Sequence, residues 1–470
     1  MSRLRCCALS FASSFGLAAL GAVLPCTLAH ATGRAREPQV ASAPRGSGTD
    51  SISISAVIAR ALGDARPPHL RNDEWLTVRR LYRGENTSAA VAPLWLDGGR
   101  LAPRATELAV LLDSVETIGL EPNDYAVADI AGALRSVTAT RGGAATAEAL
   151  ARADLLLTSS FVALVDDLLT GRVDPRDVEP AWHIAPRAFD VGARIAAALD
   201  TVRGGRPLRD VLTGLRPDYG AYGALVRGLA HYRALESAGG WPRLPNGPVL
   251  RDGEAGPAVL VLRQRLAAEG YLSSAAGSDT LDAVLAGAVA TFQLRHGLPV
   301  DSVIGPRTRA ALNVPASRRV RQIEVNIERL RWLPPDPGER FVVVNIPSFV
   351  LYAFDGGRRV LNMRVVVGDE LASRRTPVFA DTMEYIEFGP YWNVPRSIAV
   401  NEILPAARRD RGYLARNNYQ LLRGWGDNAP VVDPRSLSDA ELFSTRYRVR
   451  QLPGPDNALG RVKFMFPNDY

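Results

Sequence analysis

The side chains that could carry out nucleophilic chemistry are spread very unevenly along this chain. A cysteine nucleophile reacts as its thiolate and needs a base, usually histidine, to take its proton. The cysteines are Cys6, Cys7 and Cys26, so none lies beyond the first 26 residues. Residues 341–470 also contain no histidine. The sequence therefore predicts no thiol chemistry in its C-terminal part.

The other candidate nucleophiles in that part lack a base. Ser373, Thr376 and Ser397 have no histidine partner there, and a lysine such as Lys463 acts as a base only in a desolvated pocket. No pair of acidic residues follows a pattern typical of a hydrolase that uses two carboxylates. We predict no catalytic residue, no metal site and no cofactor within these 470 residues.

The first 31 residues have the pattern of an export signal. Arg3 and Arg5 precede an apolar stretch over residues 8–24, and small residues around Ala31 suit cleavage. Cleavage there would remove all three cysteines. An uncleaved anchor helix is the alternative, whereas Pro25 disfavours a lipoprotein at Cys26. Residues 32–50 predict a flexible leader, and no later segment is apolar enough to span a bilayer.

Composition predicts a folded, exported protein of about three domains. Hydrophobic residues make up 47% of the chain, which is enough for packed cores. The net charge of +7 comes almost wholly from arginine, since Lys463 is the only lysine. No basic run is interleaved with aromatic residues, so we expect no nucleic-acid partner.

Residues 51–249 predict a helical scaffold with no evident site. Apolar residues recur with helical spacing on one face, and Gly171 is predicted to end this helix; the face consists of Leu157, Phe161, Leu164, Val165 and Leu168. His183 and His231 are expected to be packed or surface residues rather than ligands.

Residues 250–315 predict three short helices joined by glycine-rich turns. VLVLRQRLAAEGYL and AVATFQLRHGLPVDSVIGPRTRAALN resemble a peptidoglycan-binding domain of the three-helix type. Ser302 stands where that family commonly has glycine. The resemblance implies a glycan-binding module containing Tyr271, Phe292, Gln293, Asp301, Gly305 and Thr308. The alternative is that most of these residues are core and turn positions.

An amphipathic linker helix is predicted within residues 316–338, with Val320, Ile323, Ile327 and Leu330 on one face. The pattern then changes to strands at residues 341–346, 349–354 and 360–367. Asp355-Gly356-Gly357 predicts the turn between the last two strands.

Four blocks after residue 339 resemble the catalytic domain of L,D-transpeptidases: VVVNIPSFVLYAF, MRVVVGDELASRRTPVF, GPYWNVPRSIAVNEILP and LPGPDNALGRVKFMFPND. The resemblance implies a periplasmic enzyme that forms 3→3 peptidoglycan cross-links through a cysteine acyl-enzyme. It places the histidine and cysteine beyond Tyr470, so we expect this chain to be inactive as given. It implies substrate contacts at Trp392, Asn393 and Pro395. A non-enzymatic wall-binding protein is the alternative.

The predicted fold class is multidomain α+β: a helical scaffold, an inserted three-helix peptidoglycan-binding bundle and an incomplete β-rich catalytic domain. The predicted segments are 1–31 signal, 32–50 leader, 51–249 scaffold, 250–315 binding module, 316–338 linker helix and 339–470 partial catalytic domain. Peptidoglycan stem peptides and glycan are the expected partners. We also expect exposed apolar edges near residues 462–466 and poor folding of residues 341–470 alone.

Overall fold

Helices dominate the chain up to Arg331 and strands dominate from Arg340 onwards, which gives a multidomain α+β fold. The structure is a computed structural model. It describes residues 4–9, 49–84, 91–140, 143–185, 189–334, 337–368, 375–426 and 428–467, with backbone alone for 4–9, 49–53 and 143–144. Most of the predicted signal and leader lies outside the described residues. Strand β1 (Leu4–Leu9) is the described part of that signal.

The N-terminal helices pack around one long buried helix. The elements are α1 (Thr49–Ala61), α2 (Asn72–Arg83), β2 (Leu96–Asp97), β3 (Arg100–Leu101), α3 (Pro103–Asp113), α4 (Val127–Ala139), α5 (Gly143–Thr170), α6 (Pro175–Val178), α7 (Val191–Arg203), α8 (Leu208–Gly214) and α9 (Gly220–Ser237). Helix α5 is central because its predicted apolar face, which includes Phe161 and Val165, is fully buried. Gly171 ends α5 at a φ of 85°, and an added Cβ would lie 2.5 Å from the Trp332 ring. Its predicted role as a helix stop is thus confirmed.

Three helices form the next unit, as the sequence predicts: α10 (Pro257–Ala268), α11 (Ala283–Arg295) and α12 (Pro306–Leu312). Their apolar faces meet in a separate small core that includes Leu262, Val289 and Phe292, all fully buried. Pro306 occupies the first turn of α12, where its missing N–H costs nothing.

Helix α13 (Ala316–Arg331) joins the helical part to the strands. Its predicted apolar face packs mainly on α9, in a core that also takes in Val378 beside the main sheet. At its end, Arg331 is fully buried and donates to the Ile118 carbonyl at 2.5 Å while pairing with Glu328 at 3.0 Å. Glu328 in turn accepts from the Arg172 backbone N–H at 2.6 Å. These contacts fix α13 to the end of α5.

The main sheet has the order β6-β5-β4-β1-β7. Its other strands are β4 (Arg340–Asn345), β5 (Val350–Asp355), β6 (Arg358–Arg364) and β7 (Ala380–Met383). Strand β1 runs parallel to β4 and antiparallel to β7. Just before β7, Val378 exchanges backbone hydrogen bonds with Ala181 and His183 of the scaffold. The scaffold therefore contacts the chain directly before β7 through an isolated β-bridge.

The β5–β6 hairpin differs from its prediction in one respect. Gly356 and Gly357 have φ values of 56° and 73°, which confirms the turn. Strand β6, however, ends at Arg364 rather than at residue 367, and all its residues are exposed. It is an edge strand whose apolar side chains cover no core. The alternation of apolar residues therefore predicted a strand but could not show that both of its faces are exposed.

The last part of the chain forms a smaller layered unit. Its elements are β8 (Tyr385–Phe388), β9 (Trp392–Asn393), α14 (Arg396–Ile398), α15 (Leu404–Arg409), α16 (Tyr413–Arg416), β10 (Tyr419–Arg423), β11 (Val431–Val432), α17 (Asp439–Leu442), β12 (Tyr447–Gln451) and β13 (Val462–Met465). The sheet β11-β10-β12-β9 packs against the short helices over its own core. Strand β13 pairs with β8, and Phe464 and Phe388 are half or more exposed. Of the apolar side chains in residues 462–466 only Phe464 is exposed, so the predicted exposed apolar edge is present only in part.

The Arg331 contacts predict a large stability cost for Arg331→Met. Removing one partner of a buried pair leaves the other uncompensated, and we expect a loss of about 3 kcal/mol in the free energy of unfolding. Denaturant unfolding measures it. The matched control is Arg321→Met on the same helix, whose pair with Glu324 is mostly exposed on the arginine side and should cost less than about 1 kcal/mol. Equal effects in the two variants would contradict this account.

Candidate functional site

The predicted substrate residues Trp392, Asn393 and Pro395 lie along and just after strand β9. Asn393 pairs with Arg450 and Trp392 with Gln451 on β12. Trp392 is half-buried and its ring lies 6.4 Å from that of Tyr419. The side chains of Asn393 and Pro395 are exposed, so both are accessible to a ligand.

Arginines line the outward face of the same sheet, and the sequence analysis missed them. Asn393 accepts a hydrogen bond from Arg448 at 3.3 Å, and Arg450 lies over the Tyr391 ring at 4.3 Å. Trp425, which is 74% exposed, lies beside Arg448. The signal was available, because arginines alternate with the buried Tyr447 and Val449 along β12. This face offers cationic donors and aromatic rings to a peptide.

Three of the six predicted binding residues of the three-helix unit, Phe292, Gln293 and Thr308, are buried, and Asp301 is exposed. Phe292 is fully buried, and half-buried Tyr271 packs edge-on against it at 5.4 Å. His296 stacks on Phe292 at 3.8 Å. Burial, aided by the nearby positive charge of Arg319, lowers the pKa of His296 to about 4. His296 is therefore neutral near pH 7 and packs as an aromatic ring.

Gln293 holds the turn between α11 and α12. Its amide group donates to Asp301 at 2.7 Å and to Thr308 at 3.2 Å, while its oxygen accepts from the backbone N–H groups of Asp301 and Ser302. Gly305 precedes α12 as its N-cap. Gln293, Asp301 and Thr308 thus build the turn. Tyr271 and Gly305 keep partial exposure, and the binding role of all six residues stays a prediction.

An acidic cluster in the scaffold was not foreseen. Arg71 bridges Asp166 at 2.5 Å, Glu74 at 2.8 Å and Asp167 at 3.2 Å. Tyr125 donates to Asp167 at 2.7 Å. The cluster borders a cleft of about 910 Å³ between α2, α7, the end of α5 and Trp332. Arg71 lies more than ninety residues from Asp166 and Asp167 in sequence, so no local motif predicts the cluster.

Burial is the main influence on these carboxyl groups. It raises the pKa of Glu74 to about 7 and that of Asp167 to about 6, although Arg71 opposes the shift in both. Among the described residues, no group of three or more histidine, cysteine or acidic side chains is placed to hold a metal ion.

Comparison with known proteins identifies the regions just described. Residues 339–470 match the model of the L,D-transpeptidase catalytic domain, and residues 77–229 match that of the scaffold domain. Residues 255–312 match a "Putative peptidoglycan binding domain". A Haemophilus influenzae protein named "Putative L,D-transpeptidase" is 36% identical over 160 residues. Residues 339–470 are thus similar to the L,D-transpeptidase catalytic domain.

These matches confirm the resemblance drawn from the four C-terminal blocks and from the three-helix motif. The alignment with the Haemophilus L,D-transpeptidase covers 33% of this chain and 31% of that protein, so the chain spans about a third of that relative. None of the helices in the described part of the chain is long and apolar enough to cross a membrane. Peptidoglycan-directed domains indicate a location in the cell envelope.

The turn held by Gln293 predicts that Ser302→Gly stabilises this protein. Ser302 has a φ of 57°, a left-handed conformation that strains a side chain but not glycine. We expect a gain of about 1 kcal/mol in the free energy of unfolding, measured with denaturant, because the relief of left-handed strain exceeds the entropic cost of glycine. Ser302→Ala is the control, and it should give no gain because it keeps the Cβ. A gain from alanine would point to the hydroxyl instead of the backbone.

The acidic cluster predicts a change in pH dependence for Glu74→Gln. The pKa of Glu74 is about 7 in the folded protein and 4.5 as its ordinary value. The folded state therefore gains stability from neutral Glu74 below about pH 4.5, and this gain is lost as the pH rises towards about 7. Glutamine stays neutral, so the melting temperature of the variant relative to wild type should rise by about 3 °C or more between pH 5 and pH 8. Exposed Glu116→Gln is the control and should show no such trend. A constant difference across pH would contradict the assignment.

Proposed function

We propose that this chain is an exported cell-envelope protein that recognises peptidoglycan stem peptides within an L,D-transpeptidase fold. One observation carries the proposal: a catalytic-domain region and a peptidoglycan-binding region occur in one chain. Helix α13 joins them, since it starts directly after α12 and ends before β4. This helical connection would keep bound peptidoglycan near strand β9, which carries Trp392.

The reaction that we assign to this fold is the 3→3 cross-link. A cysteine thiolate attacks the carbonyl between the third and fourth stem residues, and the terminal D-amino acid leaves with a proton. An amine of a second stem then displaces the thiolate and forms the new amide bond. In this scheme Trp392, whose half-buried ring packs on the inner face of the sheet, holds strand β9 in position for the donor stem. Asn393 and Arg448 supply donors for its carbonyl and carboxylate oxygens.

A non-enzymatic role is the second candidate, and the sequence favours it for these 470 residues. No cysteine follows Cys26, and no histidine lies in residues 341–470. Acyl transfer through a cysteine needs both groups. A polypeptide of residues 1–470 would then bind stem peptides without transferring them.

An assay on purified sacculi distinguishes the two roles. We expect the 470-residue polypeptide to sediment with sacculi. After incubation with a tetrapeptide donor, mass spectrometry should detect neither 3→3 dimers nor trimming of the tetrapeptide. Detectable turnover would overturn the non-enzymatic role, and failure to sediment would overturn peptidoglycan recognition itself.

The substrate role of β9 predicts that Asn393→Ala weakens tetrapeptide binding about fivefold, because one hydrogen bond to the ligand is lost. Isothermal titration measures the affinity. The control is Asn362→Ala, which changes another exposed strand asparagine on the edge strand β6. If both variants bind as wild type does, Asn393 is not part of the substrate site.

A further inference from the structure

A second cleft lies where the three-helix unit meets the segment before it and the start of α13. Its volume is about 710 Å³, and it is bordered by residues 243–249, by α12 and by residues 314–318. Three arginines line it, one from each side: Arg243, Arg309 and Arg318. We call it the arginine cleft.

The walls of the arginine cleft are fixed by hydrogen bonds. Arg309 donates to the carbonyls of Pro245 at 2.5 Å and Pro248 at 2.6 Å. Asn313 accepts from the Leu244 N–H at 2.7 Å and donates back to the Leu244 carbonyl at 2.9 Å. The segment before α10 is thereby held against α12. A cleft with such walls exists before any ligand binds.

The charge of the arginine cleft is uncompensated. Its lining contains no acidic residue, and within the described ranges none of the three arginines forms an ion pair with a described residue. Arg309 is only 8% exposed, and neutral carbonyls are its hydrogen-bond partners. Buried charges usually have an opposite charge beside them. Three cations around one concave surface therefore create a positive potential that favours an anion.

The lining also indicates which part of the cell wall would bind. Recognition of neutral sugars would call for aromatic platforms, yet the lining has no aromatic residue. Guanidinium groups instead match the planar geometry of carboxylates, which they bind through two parallel hydrogen bonds. Stem peptides carry free carboxylates, whereas amino-sugar rings do not.

We propose that the arginine cleft binds a carboxylate of the peptidoglycan stem peptide, separately from the β9 site. This inference rests on the proposed function, because it takes peptidoglycan as the ligand. Exposed Arg243 and Arg318 contact the carboxylate, while buried Arg309 supplies charge at the base and holds the wall. In this proposal the three-helix unit binds the stem peptide rather than the glycan chain. Gly305, one of the predicted binding residues, lines this cleft, whereas Phe292, Gln293 and Tyr271 do not.

The test uses the full chain in the Asn393→Ala background, so that binding at β9 is already weakened. The ligands are the free-carboxylate tetrapeptide and the same peptide with its carboxylates amidated. Arg243→Gln with Arg318→Gln should weaken binding of the free-carboxylate peptide about tenfold, because both arginines are exposed and their loss leaves the fold intact. The control pair, Arg251→Gln with Arg307→Gln, removes the same charge from exposed positions of the same unit. It should change the affinity less than about twofold.

Each other outcome has a defined meaning. If the control pair weakens peptide binding as much as the cleft pair, the proposed site is wrong and the peptide is held by general attraction to a basic surface. Equal binding of the amidated peptide, or displacement by inorganic phosphate at the concentration of the peptide, would overturn carboxylate recognition. If wild type sediments with sacculi but the cleft variants bind the peptide unchanged, only this inference fails. If wild type does not sediment with sacculi, the proposed function fails with it.

Discussion

The buried pair of Arg331 and Glu328 is the contact on which the arrangement of the domains depends. Arg331 reaches the carbonyl of Ile118 and the hydroxyl of Tyr222, while Glu328 accepts from Arg172, Val173 and the Trp332 indole. One turn of α13 therefore satisfies polar groups from three separate scaffold segments. An apolar helix face alone would leave its rotation and register against α9 less defined, because hydrophobic contacts have no direction.

Buried arginines recur as ties between segments. Arg265 donates to the Leu312 carbonyl, pairs with Glu269 and stacks on the Trp241 ring at 3.9 Å. Arg319 donates to the Ala311 carbonyl, and Arg309 holds two prolines of the preceding segment. The fork of a guanidinium can serve several carbonyls at once, which lysine cannot do with the same geometry. The composition of the chain, with one lysine, thus has a structural counterpart in these ties.

Sequence patterns anticipated what depends on local spacing. The faces of α5 and α13 are buried where periodicity placed them, and the glycines after α5 and between β5 and β6 have positive φ. The positive φ of Ser302 is a conformation that glycine adopts without strain, in line with the glycine that the resemblance led us to expect there. These features follow from residues a few positions apart, where backbone geometry leaves few alternatives.

Long-range polar contacts could not be predicted in this way. Arg71 meets Asp166 and Asp167 across more than ninety positions, and Arg309 meets Pro245 and Pro248 across more than sixty. Nothing in the spacing of these residues distinguishes them from surface charges. The candidate site at β9 was named from a motif. Alternation along β12 could have placed its arginines on one face, but only the pairing of the strands shows that this face lies beside β9.

Strand β6 has one more consequence, for the solubility of the protein. It is the open edge of the main sheet, and Val360, Leu361 and Met363 lie exposed along it. An edge of this kind is a template on which a second copy could add a strand. The strand carries exposed arginines at both ends, namely Arg358, Arg359 and Arg364. The same edge of a second copy would therefore meet like charges. Arginine thus has two roles in this protein: buried arginines tie segments together, and the exposed arginines of β6 oppose self-association of the sheet.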